Sequence, residues 1–197
     1  ETDTVDDAGQ VILINCNNIG VENLDLSYTS VGIELLGTNN STITNNNITA
    51  NVQSGIWLAE SSNNSIIGNS ITNNSDGILL ASNSLYNSIL ENDITNNSWV
   101  GIDLEYSSSN SISGNSIIEN NLGGILFVGS FDNTISENDI TNNEDNGIQL
   151  ELSSNSNIIS WNNISSNVGF GISLSSWSSS EASNNSISEN TIAYNNQ

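Results

Sequence analysis

A repeat of 22 to 24 residues runs through almost the whole chain. Gly-Ile pairs begin at seven glycines: Gly32, Gly55, Gly77, Gly101, Gly124, Gly147 and Gly171. After each pair, apolar residues alternate with other residues, as in Ile56-Trp57-Leu58, and this period of two predicts a short strand. A repeat of this length indicates a solenoid, in which each coil of the chain packs on the coils before and after it.

Two isoleucines five residues apart follow in each repeat and predict two further strands. The pairs are Ile43/Ile48, Ile66/Ile71, Ile89/Ile94, Ile112/Ile117, Ile135/Ile140, Ile159/Ile164 and Ile187/Ile192. No apolar run is long or periodic enough to favour a helix. With a partial coil from Val11 to Leu26, we expect about eight coils of three short strands.

Asparagine recurs at fixed positions beside these isoleucines. One column precedes the second Ile by two residues: Asn46, Asn69, Asn92, Asn115, Asn138, Asn162 and Asn190. Another follows it by three: Asn51, Asn74, Asn97, Asn120, Asn143, Asn167 and Asn195. A third precedes the first Ile: Ser41, then Asn64, Asn87, Asn110, Asn133, Asn157 and Asn185. Since Asn tolerates left-handed backbone and its amide both donates and accepts, we expect stacked Asn ladders at three corners.

These patterns together predict an all-β fold, a right-handed parallel β-helix with Ile, Leu and Val inside the coils. We divide the chain into a short acidic segment, 1–10, and a single β-helix domain, 11–197. The longer interval before the last coil predicts a loop between Ser175 and Ser183.

The coil motif Gly-Ile-x-Leu…Ser-x-Asn-x-Ile-x-x-Asn-x-Ile-x-x-Asn resembles a known repeat. It is similar to the NosD-like or CASH-type (carbohydrate-binding and sugar hydrolase) right-handed parallel β-helices, which occur mainly in archaeal and in some bacterial surface proteins. The resemblance covers the chain from Val11 onward. It implies either a metal-related role or sugar cleavage, but the chain has no His or Met for soft metals and no basic residue to support catalytic acids.

The charge of the chain excludes several partners. There are 22 Asp and Glu and no Lys, Arg or His, so the formal net charge is −22. Nothing in the sequence can neutralise a phosphate or a uronate, which argues against nucleic acid, anionic lipid and polyanionic sugars. We expect no membrane insertion, because no apolar run approaches the ~20 residues of a spanning helix.

Two matching acidic segments are weak Ca²⁺ candidates. Glu91 with Asp93 and Glu137 with Asp139 each read Glu-Asn-Asp-Ile, and carboxylate oxygens suit Ca²⁺. We expect both acids of a pair on one strand, facing outward, while the Asn between them faces the other way or marks a bend. The pairs lie two coils apart, so one ion cannot bridge them. No other cofactor is indicated.

A further carboxylate pair suits glycoside hydrolysis. Asp103 and Glu105 share one outward face, with Gln149 and Glu151 in the corresponding places two coils on. Glycosidases use two carboxyl groups ~5 to 9 Å apart, one as acid and one as base or nucleophile. This pair is also a weak Ca²⁺ candidate, and a solvated acidic surface is the alternative interpretation.

Eight Asn-x-Ser/Thr sequons are glycosylation candidates. They begin at Asn39, Asn40, Asn47, Asn63, Asn73, Asn96, Asn163 and Asn184. Because the chain is so rich in Asn, Ser and Thr, a similar number arises by chance, so the sequons show no enrichment. Loop positions such as Asn39 and Asn184 are the favoured sites.

One outward face contains the apolar residues Trp57, Leu79 and Leu126, which makes it a candidate assembly face. Neither end of the solenoid shows a capping pattern, which also favours self-association. On these grounds we interpret the chain as an extracellular, non-catalytic structural protein of a surface layer, sheath, filament or stalk. The alternative is a carbohydrate-binding or carbohydrate-processing β-helix that uses surface carboxylates with Ca²⁺, with glycans as its partner.

Overall fold

The computed structural model describes residues 9–175 and 181–196. The first four coils contain β1 (Val11–Ile14), β2 (Gly20–Glu22), β3 (Asp25–Ser27), β4 (Ile33–Leu36), β5 (Thr42–Thr44), β6 (Asn47–Thr49), β7 (Ile56–Ala59), β8 (Ser65–Ile67), β9 (Ser70–Thr72), β10 (Ile78–Ala81), β11 (Ser88–Leu90) and β12 (Asp93–Thr95). The remaining coils contain β13 (Val100–Glu105), β14 (Ser111–Ser113), β15 (Ser116–Ile118), β16 (Gly123–Val128), β17 (Thr134–Ser136), β18 (Asp139–Thr141), β19 (Ile148–Glu151), β20 (Ile158–Ser160), β21 (Asn163–Ser165), β22 (Ile172–Leu174), β23 (Ser186–Ser188) and β24 (Thr191–Ala193).

Every third strand joins the same parallel sheet. Sheet 1 contains β1, β4, β7, β10, β13, β16, β19 and β22, and sheets 2 and 3 contain the second and third strands of each coil. Each sheet therefore has eight strands, and each strand pairs with its equivalents in the neighbouring coils. The predicted three-stranded coil and parallel β-helix are confirmed. The acidic segment falls mostly on residues 1–8, and the loop predicted before the last coil falls mostly on 176–180; both stretches lie outside the described residues.

The three sheets enclose an apolar lumen. The inward residues of the Gly-Ile-x-Leu strands and the paired isoleucines are fully buried in the central coils, with Phe127 in one of the Leu positions. Inward and outward residues alternate along each strand, so the lumen takes the Ile and Leu columns while the intervening positions face outward. No helix in the described part of the chain is long and apolar enough to cross a membrane.

Asn side chains form hydrogen-bonded ladders along all three corners. At Asn92, Oδ1 accepts from the backbone amide of Asn69 at 3.0 Å and from Asn69 Nδ2 at 2.9 Å. Asn92 Nδ2 in turn donates to Asn115 Oδ1 at 3.0 Å and to the carbonyl of Ile66 at 2.9 Å. Both ends of each amide are used, so these polar side chains can be buried at little cost. The predicted ladders are confirmed.

The left-handed backbone at the corners is one residue away from its predicted place. It is adopted by the residue before each ladder Asn, such as Asn45, Gly68, Glu91 and Glu137, whose φ values lie between 54° and 63°. The ladder asparagines were expected there themselves, and that expectation is wrong. The left-handed residue turns the chain, and the Asn that follows directs its amide inward between the coils.

The glycine of each Gly-Ile pair lies where two coils approach closely. A Cβ atom on Gly124 would lie 2.4 Å from Ile140 Cγ2 and 2.5 Å from the carbonyl oxygen of Gly147. The equivalent glycines of the earlier coils meet the same three neighbours, namely an Ile of sheet 3, the next glycine and a ladder Asn, and Gly171 meets only the Ile and the Asn. The repeat thus requires glycine for space at this position, at the point where each coil enters sheet 1.

Candidate active site on the outer face of sheet 1

The outward positions of sheet 1 form a continuous column across the coils. Strand register aligns, in order, Glu34, Trp57, Leu79, Asp103, Leu126, Gln149 and Ser173. Two residues further along the same strands, Ala81, Glu105, Val128 and Glu151 form a parallel column. The predicted placement of Asp103 and Glu105 on one face, with Gln149 and Glu151 two coils on, is confirmed by this register.

Asp103 is buried although it faces outward. Only 5% of its surface is exposed, and its Oδ1 atom has no hydrogen-bond partner among the described residues. Its neighbours in the column are Leu79 and Leu126, both larger and half-buried, so the short carboxyl lies between two apolar side chains. A buried polar atom without a partner is uncommon in folded proteins and needs an explanation.

The pKa of Asp103 is raised to about 8 from an ordinary value of 3.8. Burial is the largest cause, and the negative charges of Glu105, Asp76 and Glu151, in that order, account for the rest of the rise. With no cation in the chain, no side chain offsets these effects. At neutral pH, Asp103 therefore holds its proton and can donate it.

Asp76 is a second partly buried carboxyl of this face, and the sequence analysis missed it. It immediately precedes Gly77, whose backbone amide donates to the carbonyl of Val100 on the Asp103 strand. Burial raises the pKa of Asp76, a hydrogen bond from the Val100 backbone opposes the rise, and Glu105 adds to it. Its Oδ1 atom is also buried without a partner. Its position directly before a Gly-Ile pair, one coil from Asp103, is the sequence feature that could have identified it.

A polar network continues the face toward the later coils. Asn146 Nδ2 donates to Gln149 Oε1 at 2.7 Å, and Gln149 Nε2 donates to Glu151 Oε1. Ser175 Oγ lies 3.3 Å from the same carboxylate oxygen. These contacts fix Gln149 and Glu151 on the surface, so the carboxylate of Glu151 faces the Asp103 site from a defined position.

Aromatic residues flank the carboxyls. Trp57 lies two coils before Asp103 in the same column, and its indole Nε1 is buried without a partner. Tyr106 follows Glu105 directly and lies over Gly129, whose added Cβ would be 2.8 Å from the tyrosine ring. Trp99, before the start of β13, is 50% exposed. The face thus combines acids with flat apolar surfaces.

The candidate assembly face is part of this same surface. Trp57, Leu79 and Leu126 are all half-buried, and Asp103 lies between the two leucines. The apolar column is therefore interrupted by a carboxyl and is not a continuous apolar patch. Self-association stays a prediction.

The Ca²⁺ candidates in the Glu-Asn-Asp-Ile segments are arranged differently from the expectation. Glu91 lies in left-handed conformation at the corner between β11 and β12, and Asp93 begins β12. Glu137 and Asp139 occupy the same positions around β17 and β18, and Asn163 donates to Asp139 at 2.8 Å. The acids face outward as expected but do not share a strand, because the ladder Asn between them marks a bend, which was one of the two alternatives.

Among the described residues, no three acidic, Cys or His side chains gather as a metal site would require. The six candidate Ca²⁺ ligands are among these residues, and none of them belongs to such a cluster: Glu91, Asp93, Glu137, Asp139, Asp103 and Glu105. The Ca²⁺ part of the alternative interpretation therefore has no geometric support in the described residues.

None of the glycosylation candidates belongs to a ladder. Seven are exposed: Asn40, Asn47, Asn63, Asn73, Asn96, Asn163 and Asn184. Asn39 is only half-exposed, and its Oδ1 accepts from the Ser62 amide at 2.8 Å, which makes it a poor acceptor for a glycan. Occupancy of the other sites stays a prediction.

The chain belongs to the right-handed β-helix family. The family model described as "Right handed beta helix region" matches residues 3–117 and 86–197. No curated protein matches the chain.

Several solved structures share the fold. A double mutant of the periplasmic alginate epimerase AlgG is 22% identical with a TM-score of 0.81, covering 92% of this chain and 47% of that one. The Azotobacter vinelandii mannuronan C-5 epimerase AlgE4 A-module is 18% identical with a TM-score of 0.82, covering 92% and 55%. The enzymatically active domain of bacteriophage CBA120 tailspike protein 2 is 12% identical with a TM-score of 0.61, covering 93% and 38%. The chain thus spans about half the length of each of the two epimerase structures and 38% of the tailspike domain.

These comparisons contradict the interpretation of the chain as a non-catalytic structural protein. The solved structures described above that share its fold are an alginate epimerase, a mannuronan C-5 epimerase and an enzymatically active tailspike domain. The expectation of no enzymatic activity is overturned by the same finding. Asp103 was expected to be an ordinary surface acid, whereas it is 5% exposed and its pKa is raised to about 8.

Proposed function

We propose that the protein is a carbohydrate-processing β-helix that hydrolyses glycosidic bonds on the outer face of sheet 1. The observation that carries the proposal is the pairing of Asp103, which is buried and has a pKa raised to about 8, with the exposed Glu105 on the same strand. Glycosidases need one carboxyl that holds its proton at neutral pH and a second that is ionised. The fold shared with carbohydrate-active enzymes supports the proposal.

Asp103 takes the role of general acid. It donates its proton to the glycosidic oxygen as the bond from that oxygen to the anomeric carbon breaks. Glu105 removes a proton from a water molecule, whose oxygen forms the new bond to the anomeric carbon. The proton taken up by Glu105 returns to Asp103 through solvent, so the two carboxyls end as they began.

The spacing of the two residues favours inversion at the anomeric carbon. Residues i and i+2 of a strand lie about 6.7 Å apart and direct their side chains to the same side. Carboxyl groups roughly 6.5 to 9.5 Å apart leave room for a water molecule, whereas a covalent intermediate needs about 5 to 5.5 Å. Proton NMR of the first product therefore offers a check on the assignment.

Asp103→Asn is expected to lower the hydrolysis rate by about 10²- to 10⁴-fold, because Asn cannot donate the proton that a general acid supplies. The assay measures new reducing ends from a panel of neutral and uronic acid polysaccharides. Asp93→Asn, the same chemical change at an exposed strand residue, is the matched control and should leave the rate unchanged. Either no turnover on the whole panel or a folded Asp103→Asn variant of full activity would rule out the proposal.

Within the right-handed β-helix family we infer a place among the NosD-like or CASH-type repeats, on the coil motif that defines them. We also infer a location outside the cytoplasm and, more finely, at the cell surface. Supporting this, one similar structure is a periplasmic enzyme and another is a phage tailspike domain.

A further inference from the structure

Asp76 and Asp103 are two acids that depart from the repeat in adjacent coils. Only at Asp76 does an acid stand directly before a Gly-Ile pair, and Asp103 interrupts its column between two leucines. The other coils have, before the Gly-Ile pair, Val31, Ser54, Val100, Gly123, Asn146 and Phe170. The Oδ1 atom of each acid is buried without a hydrogen-bond partner among the described residues. Because a buried unpaired carboxyl lowers the stability of a fold, its presence in an otherwise regular repeat indicates a functional role.

Hydrogen bonds fix Asp76 at the start of the strand that carries Asp103. The Val100 backbone amide donates to the Asp76 carboxyl, and the Gly77 amide donates to the Val100 carbonyl at 3.0 Å. On the other side, the carbonyl of Asp76 accepts from the Gly55 amide at 2.9 Å. Three backbone bonds therefore keep the Asp76 carboxyl in a fixed place relative to β13.

The surroundings of the two carboxyls favour different protonation states. The Val100 amide stabilises the ionised form of Asp76, and this side chain is only partly buried. Asp103 is nearly completely buried, and no described group donates a hydrogen bond to its Oδ1 atom. Because two negative charges in adjacent coils repel, the carboxyl that ionises first opposes ionisation of the other. We expect Asp76 to ionise first.

Resting on the hydrolase function proposed above, we propose that Asp76 is a positioning residue for the general acid: its carboxylate, held by the Val100 amide, opposes loss of the proton from Asp103. Asp76 acts only through Asp103 and transfers no proton to the substrate. The strands that flank β13, β10 and β16, carry no titratable side chain that could act instead. The charges of Glu105 on the same strand and of Glu151 on β19 act in the same direction, so Asp76 supplies one part of the effect.

The test is a ¹³C NMR titration of both carboxyl carbons in the wild type, Asp76→Asn and Asp103→Asn. Asn at position 76 keeps an acceptor for the Val100 amide and removes the charge. We expect Asp76→Asn to lower the midpoint of Asp103 by about 0.5 to 1 pH unit. Asp103→Asn should leave the Asp76 midpoint unchanged, because Asp103 is still protonated when Asp76 ionises. Asp93→Asn removes the same charge from an exposed residue of the same coil and should change neither midpoint.

The pH dependence of hydrolysis links this effect to catalysis. The alkaline limb of the rate profile should move to lower pH in Asp76→Asn, by the same amount as the Asp103 midpoint. An unchanged Asp103 midpoint or an unmoved alkaline limb in Asp76→Asn would overturn the proposal, and so would a lowered Asp76 midpoint in Asp103→Asn. This last outcome decides the matter even where Asp76→Asn does not fold, because it reverses the order of ionisation. If the wild type cleaves no polysaccharide, the hydrolase function fails, and the titrations still decide whether Asp76 keeps the proton on Asp103.

Discussion

Replacing Asp103 by Asn is expected to stabilise the folded protein at alkaline pH while leaving its stability at acid pH almost unchanged. The folded state keeps the Asp103 proton up to a pKa of about 8, whereas the unfolded chain releases it near 3.8. Between these values the folded state binds more protons, so its stability falls as pH rises. Because Asn does not ionise, this residue contributes no pH dependence to the stability of the variant.

The size of the effect follows from the pKa difference. Each pKa unit corresponds to about 1.4 kcal/mol, so a rise from 3.8 to about 8 costs the wild type on the order of 6 kcal/mol once the carboxyl is ionised. Burial is the largest cause of the rise, and the charges of Glu105, Asp76 and Glu151 add to it. The gain from Asp103→Asn should therefore be small near pH 4 and approach its full value above about pH 8.

Urea unfolding of the wild type and Asp103→Asn across this pH range measures the effect. Only the difference between the two proteins matters, because carboxylates that do not interact with Asp103 titrate equally in both. Asp93→Asn, at an exposed position, should follow the wild-type curve. A constant difference between wild type and Asp103→Asn from acid to alkaline pH would mean that Asp103 titrates as an ordinary surface carboxyl.

Asn120→Ala is expected to destabilise the protein by about 3 to 5 kcal/mol. Asn120 Oδ1 accepts from the backbone amide of Asn97 and from Asn97 Nδ2, at 3.1 and 3.0 Å. Its own amide donates to Asn143 Oδ1 at 3.0 Å and to the carbonyl of Ile94 at 3.2 Å. Alanine removes these four bonds and leaves the Asn97 backbone amide without its acceptor, whereas Asn97 Nδ2 still donates to the Ile71 carbonyl and Asn143 Oδ1 still accepts from the Asn120 backbone amide. An unsatisfied buried donor costs about 1 to 3 kcal/mol, and each of the other lost bonds costs about 0.5 to 1.5 kcal/mol.

The adjacent residue provides the control. Asn121 is exposed, and its backbone amide pairs with the carbonyl of Asn97, a bond that alanine retains. Asn121→Ala should change the free energy of unfolding by less than about 0.5 kcal/mol. Equal effects of the two substitutions in thermal or urea unfolding would show that the ladder contributes no more than surface asparagines do.

The coil and its ladders were predictable because each residue column has one physical cause. The Ile and Leu columns follow from alternation along a strand, and the Asn columns from their fixed distance to those isoleucines. The left-handed residues were harder to locate, because Asn, Gly, Glu and even Trp161 occupy them. At those positions the fold imposes the backbone conformation, and the side chain varies.

The site was predictable only in part. Register alone places Asp103 beside Glu105 and two coils from Trp57, and both relations could be read from the repeat. The burial of Asp103 could not be predicted from the repeat, because it depends on how Leu79 and Leu126 pack beside it in adjacent coils. Asp76 was missed because it stands outside the strand pattern, in the corner before Gly77.

The most direct test of a protonated acid on this face is the titration of the Asp103 carboxyl carbon by ¹³C NMR, with Asp103→Asn used to assign the signal. We expect a midpoint at about pH 8 in the free protein, and a change in that midpoint when a neutral oligosaccharide is added. A midpoint near the ordinary value of 3.8, unaffected by the oligosaccharide, would contradict the assignment of Asp103 as the general acid of a carbohydrate site.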